Sequence, residues 1–136
     1  MTSKSMSTSG PTPAVQLDKE QARNAVGTLS VALGATAVLA PRLTARGFGV
    51  RAEGGALPLL VRMVGVRNAV MGAHTLQATG GAQAQAVQAG LAVGAVDALA
   101  VLLAARKGVM SKKAALGVLA VLGGIAALGV LASQED

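Results

Sequence analysis

Arg62, Arg67, His74 and Asp97 are the side chains that could carry charge or a proton through the apolar part of this chain, and Asn68 sits beside them. The first four of the five, in sequence order, share one apolar stretch; Asp97 lies in the next. Arg67 and His74 are seven residues apart, on one stripe of a helix with Met71 between them. Arginine with aspartate makes an ion pair, and with a histidine nearby the cluster is a candidate proton, ion or substrate site, since ionisable residues inside a membrane are functional candidates by default. The same residues have a structural use, since a buried pair fixes register and partner choice at some cost in stability. Both readings stay open at this level.

Other chemistries are poorly equipped. With no cysteine and one histidine, neither a thiolate nucleophile nor a metal site is expected. No phosphate loop ending in Lys-Ser/Thr, no paired carboxylates, no nucleophile elbow and no His-Glu-x-x-His occur. Gly47-Phe48-Gly49 is too short to count, and the serines cluster near the start, far from any base. The expectation is a protein without cofactor or metal that is not an enzyme. A lipid-modifying enzyme is a third reading, resting on the intramembrane polar groups alone.

What positions these residues follows from composition. The chain has 136 residues, of which 52% are hydrophobic and 13% charged, against about 25% charged in soluble domains. Met1 to Ala14 is rich in Ser, Thr, Gly and Pro, and residues 1–21 read as a disordered polar tail. The tail is too long and too weakly basic for a secretory signal, although Ala37-Val38-Leu39-Ala40 resembles a small-residue cleavage pattern. Residues 22–132 read as one transmembrane domain with spans at about 22–40, 57–77, 86–105 and 114–132, and 133–136 as a C-terminal tail. Pro41 ends span one and Pro58 falls in the first turn of span two, where its missing N–H costs nothing. Each span has about the 20 residues a helix needs to cross the hydrocarbon core. Span four decides the class. Ala114 to Ala132 holds only Ala, Leu, Gly, Val and Ile, whereas a helix of a soluble bundle shows a polar face every turn. The fold expected is all-α, an integral membrane bundle of four transmembrane helices in contact with the lipid bilayer.

In lipid, helix association depends on close backbone approach at small residues. Span one carries Gly27, Ser30, Gly34 and Ala37 on one stripe. Span two carries Gly65, Ala69 and Gly72, span three Gly90 and Gly94 continued by Asp97, and span four Gly117, Ala120, Gly124 and Ala127. Eight glycines (Gly27, Gly34, Gly65, Gly72, Gly90, Gly94, Gly117 and Gly124) are therefore the packing candidates. Phe48 is the one aromatic residue, so no aromatic belt exists and the basic loops must anchor the interfaces.

Those loops also set orientation. Arg42, Arg46, Arg51, Arg106, Lys107, Lys112 and Lys113 flank the spans on one side, and only Lys19 and Arg23 on the other. The positive-inside rule then places loops 41–56 and 106–113 in the cytoplasm and both termini outside. The basic balance is explained by topology, not by nucleic acid, for which basic residues interleaved with aromatics would be needed. The loop after Pro41 could touch anionic headgroups through its arginines, but Gly47, Gly49, Gly54 and Gly55 argue against a stable helix there.

A charge inside a span costs about 2.5–3.5 kcal/mol on the insertion scale, so Arg67 and Asp97 should find each other. Spans two and three are joined by a short turn around Gly80-Gly81 and should be antiparallel neighbours. Arg67 lies 11 residues before Ala78 and Asp97 13 residues after Ala84. At about 1.5 Å per residue their depths differ by only about 3 Å. Arg62, nearer the cytoplasmic end, can snorkel to the interface or point into the bundle. Arg67, His74 and Asp97 would then line a small polar cavity, with Asn68 close by.

The run Arg62-Met63-Val64-Gly65-Val66-Arg67-Asn68, followed by Gly72, resembles a motif in a family of small actinobacterial four-span membrane proteins known as domain of unknown function 4267. The resemblance covers about 22–132 and implies four spans, an Arg-x-x-Gly-x-Arg-Asp signature in the second and an acid in the third. Here Asn68 stands where that signature has its acid. The family implies no activity. The bias toward Ala, Gly, Val and Arg also fits a GC-rich bacterial genome.

Two functions follow as expectations. One is a multi-pass membrane protein acting as an accessory or structural component of a bacterial envelope complex, as a partner of other membrane proteins or as a homo-oligomer. The other is a small transporter or proton-coupled carrier working through Arg67, His74 and Asp97.

Overall fold

A computed structural model of the chain describes residues 13–50 and 55–133, with side chains from Lys19 onward. Residues 1–12 of the expected tail, Arg51 of the first basic loop and the C-terminal 134–136 lie outside the described residues. Among the described residues there are five helices and no strand: α1 (Pro13–Leu39), α2 (Pro41–Gly47), α3 (Ala56–Gln77), α4 (Gly80–Arg106) and α5 (Lys112–Ser133). The fold is all-α. The helices α1, α3, α4 and α5 contain segments long and apolar enough to cross a membrane, and the chain is a multi-pass membrane protein by that measure.

Two helices start well before the expected positions. Helix α1 begins at Pro13, nine residues before the expected start at 22, because Pro at the first helical position is preorganised and nothing between it and Ala22 breaks a helix. Helix α4 begins at Gly80 instead of 86. The two-residue link Ala78–Thr79 makes the turn in extended backbone, and Gly80 takes φ 55° at the restart.

The loop after Pro41 departs further. Pro41–Gly47 is a helix, although the glycines were expected to prevent one. Pro41 starts it at a position where no N–H is needed, and Gly49 (φ 69°) ends it. The Val50 N–H reaches Ala45 O at 2.8 Å and the Gly49 N–H reaches Arg46 O at 2.9 Å. This left-handed glycine cap satisfies the last carbonyls, so the glycine terminates a helix without forbidding one. The same cap closes α4, where Gly108 has φ 72° and the Val109 N–H bonds Ala104 O at 3.0 Å. Ser111 opens α5 by accepting the Ala114 N–H at 3.1 Å.

The four long helices alternate in direction. At one end meet the start of α1, the end of α3, the start of α4 and the end of α5. Gln83 Nε2 donates to Thr75 O at 2.9 Å there, and Arg23 Nε to Ala132 O at 2.7 Å. The opposite end gathers Arg42, Arg46, Arg106, Lys107, Lys112 and Lys113, with Gly49 packed against Ala114. Around the bundle the order is α3, α1, α5, α4. The closest pair is α1 with α3, while α3 and α4, joined by the shortest link, touch more sparsely.

Candidate functional site

The seam between α1 and α3 is built of glycines spaced seven apart, Gly27 and Gly34 on one helix and Gly65 and Gly72 on the other. Seven residues make two turns at 3.5 per turn, so each pair stays on one face along a gently supercoiled contact. The antiparallel arrangement sets Gly27 against Gly72 and Gly34 against Gly65. A methyl group on Gly34 would lie 2.5 Å from both Ala69 N and Gly65 O, and one on Gly72 2.6 Å from Gly27 O. Backbone meets backbone here, and no residue larger than glycine fits. Ser30, Ala37 and Ala69, the other small members of the two stripes, supply some of the opposing atoms.

The stripes on α4 and α5 are used differently. A methyl on Gly94, Gly117, Gly123 or Gly124 would meet nothing within 4 Å, and one on Gly90 only the end of Met71 at 3.8 Å. Gly90, Gly94, Gly117 and Gly124 therefore make no tight contact inside the molecule. The close approach between these helices falls at Gly129, over which Leu91 packs, its Cδ2 2.7 Å from where a Cβ would stand. Away from that contact Gly90, Gly94 and Gly123 border a cavity, so the α4 and α5 stripes do not meet. Gly117, Ala120, Gly124 and Ala127 all face outward.

Arg67 and Asp97 meet across the sparse α3–α4 side. Arg67 Nη1 donates to Asp97 Oδ1 at 3.0 Å and Nη2 to Oδ2, a two-pronged fork. Nη2 also donates to Asn68 Oδ1 at 3.2 Å. The pair sits mid-helix with side chains 34% and 30% exposed within the molecule. Arg67 Nε is buried and has no hydrogen-bond partner among the described residues. Asn68, where the resembled signature has an acid, keeps the cluster at one positive and one negative charge.

Arg62 and His74 do not join this cluster. Arg62 is exposed and its Nε donates to Val38 O at 3.2 Å. Pro41 brings no N–H to the end of α1, and the guanidinium supplies a donor to that frayed terminus. His74 is exposed on α3, and its side chain makes no hydrogen bond or ion pair among the described residues. Residues seven apart drift by about 20° on a straight helix, and Arg67 closes the difference toward Asp97 with its long flexible stem, which histidine lacks.

The cavity expected beside the pair exists, but it is mainly apolar. It holds about 300 Å³ between all four long helices and is partly open. Asp97 and Asn68 reach its wall along with Ser30 and Thr75; Arg67 and His74 do not. Its space arises where Gly90, Gly94 and Gly123 present no side chain.

Sequence reading also passed over a polar latch at the other end. Buried Gln83 ties α4 to Thr75 O and approaches Asn24 Oδ1 at 3.5 Å, and the buried Thr75 hydroxyl donates to Met71 O at 3.0 Å. A glutamine just after a Gly-Gly turn, in an otherwise Ala-rich segment, was the available signal. Among the described residues no group of three or more His, Cys, Asp or Glu could hold a metal.

No family model, curated protein or solved structure matches the chain.

Proposed function

We propose that this chain is a non-enzymatic accessory or structural protein of a bacterial cell membrane, working by binding other membrane helices through the outer face of α5. One observation carries this reading. The small-residue spacing that fuses α1 to α3 recurs on α5 at Gly117, Ala120, Gly124 and Ala127, where it faces outward with no partner among the described residues. In lipid such a face gains by packing against another helix. The gathering of basic residues at one end supports an orientation with that end in the cytoplasm and both termini outside, against anionic headgroups.

The chain has no cysteine, so a single cysteine at Ala120 gives a clean test. Cross-linking in native membranes should trap one defined adduct, with a second copy or with another membrane protein, and Gly124→Ile should abolish it. A monomer alone, under every cross-linker length, overturns the reading.

A second reading, a small proton-coupled carrier, draws on Asp97 lying at the cavity wall. Reconstituted with a pH-sensitive dye, the chain would have to show a flux that Asp97→Asn removes. An unchanged flux ends that reading.

A further inference from the structure

The central cavity is larger than a packing fault and has an uneven wall. Its volume of about 300 Å³ matches the lower end of the roughly 300–1,000 Å³ range of small-molecule pockets. Most of the lining is aliphatic, from Val26 and Leu33 on α1 to Leu122 and Ile125 on α5. Against this stand two polar groups with bonding capacity left over. The Ser30 hydroxyl has no hydrogen-bond partner among the described residues. The Asn68 amide oxygen is occupied by the Arg67 guanidinium, which fixes the orientation of the amide and leaves its NH₂ as an unused donor.

Charge narrows what could enter. Asp97 lines the cavity, so an anion would face a carboxylate. A cation would find the charge of that carboxylate already neutralised by Arg67, which bonds both its oxygens. The uncharged capacity is the two donors of the Asn68 NH₂ and a donor–acceptor from Ser30, in a mostly aliphatic space. We propose that this cavity is a binding site for an uncharged single-chain amphiphile, of the alkanol class, that enters from the bilayer. Its hydroxyl oxygen takes the Asn68 or Ser30 donor and its chain lies along the gap left by Gly90, Gly94 and Gly123. The glycines are then the feature that makes the room: both line the cavity, and a methyl at Gly94 or Gly123 would have nothing within 4 Å.

The test uses the full chain in vesicles of zwitterionic phospholipid and a diazirine-bearing octanol as photolabel. Labelling should saturate and map to residues 90–98 and 119–129. Octan-1-ol should compete at least about fivefold better than octane, the effect expected of one buried hydrogen bond. Gly94→Leu and Gly123→Leu should each remove the saturable label while leaving helicity and the unfolding midpoint near those of the parent. Asn68→Leu should keep the label but erase the preference for the alcohol. Labelling that does not saturate, or that falls only on outward-facing residues, overturns the site. Equal competition by octane overturns the polar half of the proposal, because the space would then be a hydrocarbon slot.

Discussion

The pair α1–α3 and the pair α4–α5 are made of nearly the same residues and pack in opposite ways. Both carry small residues at helical spacing. In the first pair both helices have glycines seven apart and in register, and the backbones close until a single methyl would not fit. In the second pair Leu91 rides over Gly129 at one end and the remaining glycines are left against the cavity or the outside. A stripe is thus only half of a contact. Its partner must turn an equally flat surface toward it at the same height; a leucine over one glycine does not decide the outcome, since Leu76 packs over Gly27 in the tight pair as Leu91 does over Gly129 in the loose one.

The strongest way to break this comparison is at the tie that spans the sparse side. Asp97→Ala leaves Arg67 unpaired in the bundle and should cost about 3–5 kcal/mol, read as loss of folded protein in a denaturing-detergent titration followed by circular dichroism. Replacing both Arg67 and Asp97 by Leu should recover most of that loss, because the pair fixes register more than it stabilises. If the double variant is as unstable as the single, the pair contributes net stability and the structural account fails.

Next in size is the tight seam itself. Gly34→Ala and Gly72→Ala should each cost about 1–3 kcal/mol by overpacking against backbone that cannot retreat, measured by the same titration. Variants that unfold like the parent would show that the seam is looser than its distances imply. A smaller loss, about 1 kcal/mol, is expected for Arg23→Leu, which removes the donor to Ala132 O from a partly buried charged hydrogen bond. The smallest effect carries the opposite sign. Gly94→Ala and Gly117→Ala meet open space, so alanine's better helix propensity should stabilise by up to about 1 kcal/mol. A Gly→Ala series that destabilises one helix pair and stabilises the other is the sharpest single statement of the difference.

Much of this was legible in the sequence, for definable reasons. The spans follow from apolar length, and the depth match of Arg67 with Asp97 needs only the helical rise and a short turn. The α1–α3 stripes are visible because seven-residue spacing is a property of one helix. Which stripe meets which is not, since that depends on how each helix is rotated in the bundle, and α5 turns its stripe outward. His74 lies on the Arg67 stripe in projection, yet reach, not angle alone, decides what joins an ion pair. Gly49 and Gly108 count as breakers in any composition argument; only the backbone shows them as caps that finish helices cleanly. The arginines at 23 and 62 serve carbonyls, and a carbonyl leaves no mark in a sequence.

The hydrogen bond from Arg23 to Ala132 O links positions 109 residues apart, on α1 and α5. The arginine is therefore synthesised well before its acceptor, and α1 stays unlatched from α5 until the last turn of α5 has been made. A substitution that disturbs that turn would be felt at α1, across the three helices that lie between them in sequence.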